Sequence, residues 1–138
     1  MTLRGIWLAT TAVLLLVNPA AGRQAPATQP SQMTAFIGTW VFDMTDPPDL
    51  VGTKETVRIL EKNGVVAATV QVGRFPPNDV TGILKDGDLL VLTTTLRENG
   101  QPIWVVISLK QAGKTMTLPQ MMERSQTIKR GTGKKQAN

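Results

Sequence analysis

The side chains behind most nucleophilic and metal-assisted catalysis are missing from this chain, which has no histidine, no cysteine and no tyrosine. Without histidine or cysteine it cannot assemble a Ser-His-Asp or Cys-His nucleophile, or a zinc centre with the usual nitrogen and sulfur ligands. Carboxylates remain, and a facing pair could do the acid and base work of glycoside hydrolysis. Asp46, Asp49, Asp79, Asp86, Asp88 and Glu98, however, all fall in or beside expected turns, where aspartate serves the backbone. No phosphate loop, dinucleotide fingerprint or metal-ligand spacing occurs. The reading is therefore of a protein that is not an enzyme, with no catalytic residue, no metal and no cofactor.

The elements that would position any site are marked by turns. Asn63-Gly64, Pro76 to Asp79, Asp86-Gly87, Asn99-Gly100 and Ala112-Gly113 recur at regular spacing. An asparagine or aspartate before glycine supplies the two positive-φ residues of a tight hairpin, and β-branched runs lie between these marks. Strands are expected at roughly Ala35–Met44, Lys54–Lys62, Val65–Gly73, Val80–Lys85, Leu89–Arg97, Pro102–Lys110, Lys114–Leu118 and Met121–Arg130. Alternation puts Val66, Ala68, Val70 and Val72 on one face of the third strand. Ile103, Val105, Ile107 and Leu109 share a face of the sixth strand, and Trp104 with Val106 opposite suggests a strand covered on both sides. Met121 and Met122 must point to opposite faces. The fold class is all-β, an antiparallel up-and-down meander of about eight strands forming a closed or nearly closed barrel, since closure removes both sheet edges.

Around this domain the sequence changes character. Met1 to Val17 carries one cation, Arg4, before an apolar run too short for an ordinary membrane span, and small residues at Ala20 and Gly22 suit a cleavage site. Residues 1–22 are read as a signal peptide, 23–32 as a disordered spacer, 33–130 as the barrel and 131–138 as a flexible basic tail, which implies a periplasmic or secreted protein. The formal charge of +5 concentrates at the end, in Lys129, Arg130, Lys134 and Lys135. These cations could meet an anionic surface by counterion release, while the lack of interleaved aromatics argues against nucleic acid as a partner.

One short stretch is more specific. In "FIGTWVFD" the residues Phe36, Gly38, Trp40 and Phe42 alternate onto one face, and the glycine lets the strand bend beside the tryptophan. Gly38-Thr39-Trp40 resembles the Gly-x-Trp signature that opens the barrels of the calycin superfamily, the lipocalins, fatty-acid-binding proteins and avidins. Leader, signature and tight meander together are similar to those of small exported bacterial proteins. The resemblance implies a cation from near the barrel's end packed on the tryptophan, here Arg124 or Arg130. It also implies a cup-like interior. Departures are equally visible: Thr45 to Thr53 leaves no room for the helical lid of fatty-acid-binding proteins, and Arg124-Ser125-Gln126 lacks the tyrosine of their Arg-x-Tyr pair. The mature chain also has fewer tryptophans than avidins place around their ligand. Two functions follow as expectations. One is a small hydrophobic or amphipathic ligand held by Trp40, Phe42, Trp104 and Met122, with Arg74 or Arg124 meeting a polar head group. The other is a filled barrel acting through its outside as an envelope interaction or scaffold module. Interior volume separates them.

Overall fold

The computed structural model describes residues 33–123 and 127–137. Its strands are β1 (Gly38–Asp46), β2 (Lys54–Lys62), β3 (Val65–Val72), β4 (Asn78–Asp86), β5 (Leu89–Glu98), β6 (Gln101–Ala112), β7 (Thr115–Met122) and β8 (Ile128–Lys135). Each pairs antiparallel with the next, and β8 returns to β1, so the meander closes into an eight-stranded barrel. The leader, the spacer and Arg124 lie outside the described residues.

The hairpins follow from backbone chemistry. Asn63 and Gly64 adopt φ of 54° and 76°, and Asn99 and Gly100 adopt 50° and 78°, the paired left-handed conformations that match the twist of the flanking strands. Between turns, parity decides what is buried. Val57 and Ile59 on β2, Leu90 and Leu92 on β5, Ile103, Val105, Ile107 and Leu109 on β6 and Met116 and Leu118 on β7 point inward and are sealed from solvent. Their outward neighbours remain exposed or half-buried.

Three sequence expectations are corrected. The strand expected to break at Pro119 and Gln120 runs straight through them, and the turn falls after Met122. Pro119 is paired with Arg130 on β8 and has no partner in the β6–β7 register, the kind of ladder gap where a residue without an N–H is tolerated. The chain also stays in strand to Lys135, where a flexible tail had been expected after Arg130. Gly131 and Gly133 read as tail punctuation, yet they face inward under Met44 and Phe42. A Cβ on Gly133 would stand 2.5 Å from the Phe42 ring, so the bare backbone is what admits the phenyl group. The third correction concerns β6, whose outer face is open, with Trp104 53% and Val106 39% exposed.

One barrel end is stoppered by the chain entering it. A turn over Met33 to Ile37 buries Met33 and Phe36, and the Gln111 amide donates to the carbonyl of Ala35. Phe36 therefore joins the core from a turn preceding β1. Its carbonyl accepts a 2.8 Å hydrogen bond from the indole N–H of Trp40. The cation expected over Trp40 is Lys135, 5.9 Å from the ring centroid, whose alkyl stem crosses the backbone of Gly38 at φ +133°. Arg130 lies elsewhere, exposed on the outer wall and paired with Asp46 at 2.8 Å.

Candidate functional site

At the opposite end the described residues leave an opening. The final residues of β3, β5 and β7 meet the first residues of β4, β6 and β8 around a cavity of about 160 Å³. Val72, Leu96, Ile103 and Met122 form its apolar wall, and Phe75, 72% exposed on the β3–β4 connection, stands over it. Asn78, Arg97 and Lys129 supply the polar part of the rim. Among the described residues, both charged groups lining the cavity are cations. Arg97 is steadied by donating to the carbonyl of Gly100 at 3.3 Å, and Lys129 points to the barrel side of β8, in phase with Gly131 and Gly133.

Polar side chains also occur inside the barrel, all in the half nearer this mouth. Thr94 is fully buried, and its hydroxyl donates to the carbonyl of Asp79 at 2.8 Å, tying β5 to the start of β4. Glu55, 2% exposed, is the first inward residue of β2. The Gln120 amide, oriented nitrogen first, donates to its two carboxylate oxygens at 3.0 and 3.1 Å. Burial pushes the Glu55 carboxyl up from 4.5 to about 7, and the positive field of Lys129 pulls the other way. The arrangement is a buried acid with a neutral donor against it and a partly buried cation, in register with that donor, lining the mouth.

The residues nominated from sequence divide over the molecule. Met122 lines the mouth. Trp40 and Phe42 are inside, but both are consumed by packing: Trp40 under the stoppered end, Phe42 against Gly133. Trp104 is on the outer wall, because it alternates with the inward Ile103 and Val105. Arg74 is exposed in the β3–β4 connection and does not line the cavity, where Arg97 and Lys129 provide the charge instead. Arg124 is outside the described residues. Glu55, Gln120 and Lys129 were missed as a group. The signal was present: Glu55 keeps step with Val57 and Ile59, Gln120 with Met116 and Leu118, and Lys129 with Gly131 and Gly133.

Two shallower features lie outside the barrel. A depression of about 340 Å³ between β1, β7 and β8 is edged by Thr45, Thr117, Arg130 and Thr132, none of them buried. Across β6, β7 and β8, Val106, Met121 and Ile128 form a registered outward row, with Trp104 next along β6.

No family model, curated protein or solved structure matches this chain. Fold and site together define a small, closed, antiparallel eight-stranded barrel, stoppered at one end and, among the described residues, holding a cavity at the other, and compatible with a calycin-like fold.

Proposed function

We propose that this chain is an exported lipocalin-like barrel that takes a small hydrophobic or amphipathic molecule into its open end. The observation carrying the reading is the mouth itself, an apolar wall of Val72, Leu96, Ile103 and Met122 that ends in a cationic rim. Eight-stranded barrels stand at the size where side chains either fill the interior or leave room for one small ligand. At about 160 Å³ the space is below the roughly 300 Å³ at which drug-sized pockets begin. Only the end of a ligand enters, and its remainder rests at the rim beside Phe75. Export rests on the apolar leader of Met1 to Val17.

A second reading has its own observation. The outer row of Trp104, Val106, Met121 and Ile128 is an exposed apolar strip of the kind that marks protein contacts, as an envelope interaction module without ligand would require.

Calorimetric titration with octanol, a neutral amphiphile, tests the first reading. Wild-type protein binds, and Leu96→Trp, which fills the mouth from its wall, loses the binding while keeping its far-ultraviolet circular dichroism. Absence of binding to the wild type, or equal binding by the folded variant, contradicts the reading.

A further inference from the structure

The charges at the open end are arranged asymmetrically. Among the described residues, Lys129 and Arg97 are the charged side chains that line the cavity. The nearest interior acid, Glu55, is withdrawn behind the rim with Gln120 as its hydrogen-bond donor. We propose that the mouth selects an amphipathic anion through Lys129 and Arg97, and that Glu55 takes up a proton when the anion binds. This deepens the binding reading and rests on it.

The argument begins with what faces Glu55. Its strand neighbours in register are Phe42 on β1 and Val72 on β3, both apolar. From β7 it meets the neutral amide of Gln120. From β8 the ammonium of Lys129 acts on it, and among the described residues no other charged side chain does. Lys129 is thus shared: it supports the ionised form of Glu55 when the mouth is empty, and it is the lining cation that an incoming anion would meet. A carboxylate docked on Lys129 neutralises that support and adds a like charge nearby, and both effects favour the protonated acid. Burial already leaves Glu55 poised near neutrality, so the extra bias is enough to change its protonation under ordinary conditions.

Linkage fixes the sign. Below the free-state titration Glu55 is already protonated and affinity for an anion is flat with pH. Above it, each rise of one pH unit weakens binding by up to about tenfold, because a proton must be recruited with the ligand. A neutral amphiphile lacks this dependence.

Octanoate and octanol, titrated calorimetrically into the full mature protein at about pH 8 in two buffers of different ionisation enthalpy, distinguish the parts of this proposal. Octanoate binds tighter than octanol and takes up about one proton per ligand. Lys129→Met lowers octanoate affinity by about tenfold and octanol affinity by much less. Glu55→Gln, a neutral isostere, still binds octanoate but abolishes the proton uptake. Circular dichroism confirms that both variants are folded. If octanol binds as well as octanoate, or octylamine binds better than either, anion selection is wrong and the binding reading survives. Octanoate binding without proton uptake, or with uptake undiminished in Glu55→Gln, overturns the role of Glu55. If no amphiphile binds, the binding reading itself has failed.

Discussion

Replacing Glu55 by glutamine should make the barrel more stable at neutral and alkaline pH. The folded state holds this carboxyl near 7, while the unfolded chain returns it to about 4.5, so between those values the folded protein binds more protons. Stability from this group is fully present below about pH 4.5, falls as pH rises, and is lost once pH passes about 7. At about 1.4 kcal/mol per pH unit, the interval corresponds to about 3 kcal/mol. Glutamine keeps the shape and can still pair with Gln120, but it carries no titration. Asp43 and Asp88 are held below the usual carboxylate range by hydrogen bonds and charge from Lys54 and Lys110, and they act at lower pH with the opposite sign. Both remain in each protein, so they cancel in the comparison. Urea denaturation followed by far-ultraviolet circular dichroism, at several values from about pH 4.5 to 8, measures the difference. Wild type and Glu55→Gln should agree at the acid end and separate to about 3 kcal/mol in favour of the variant at the alkaline end. Parallel curves would show that Glu55 titrates alike in both states and is not sealed in the barrel.

Gly133→Ala places a methyl 2.5 Å from the Phe42 ring and should destabilise by about 1–3 kcal/mol in the same assay, with the wild-type m-value. Trp40→Phe removes the 2.8 Å bond to the Phe36 carbonyl and part of the stopper's packing, costing about 2 kcal/mol. Octanol binding should survive it, because Trp40 sits at the other end from the mouth. Lys135→Met removes only the ammonium over Trp40 and should lower stability by about 1 kcal/mol or less.

How far the sequence carried these conclusions depended on which residue property decided the structure. Where period and turn chemistry ruled, as in β3 and at Asn63-Gly64 and Asn99-Gly100, the strands and the closed meander were legible. Local residue type misled where a neighbour determined its meaning. Pro119 looked like a break, but it pairs with Arg130 on β8 and falls at a gap in the β6–β7 register. Gly131 and Gly133 looked like a loose tail, but they receive Phe42 and Met44 from a strand about 90 residues earlier, a pairing no local window contains. Trp104 attracted a ligand role by its type alone, and its parity sends it outward. Glu55 was passed over and Lys129 was read only with Arg130, Lys134 and Lys135 as a cation for an anionic surface, although parity places both on the barrel side.

The central claim is that a small molecule enters at the mouth and not on the outer wall. Methyl-labelled protein observed by nuclear magnetic resonance during titration with octanol tests this most directly. The account predicts shifts confined to Val72, Leu96, Ile103 and Met122, saturating together, while Met121, Val106 and Ile128 on the outer strip stay in place. Shifts centred on Met121, Val106 and Ile128 with the mouth methyls unmoved would contradict it and favour the barrel that acts through its outside.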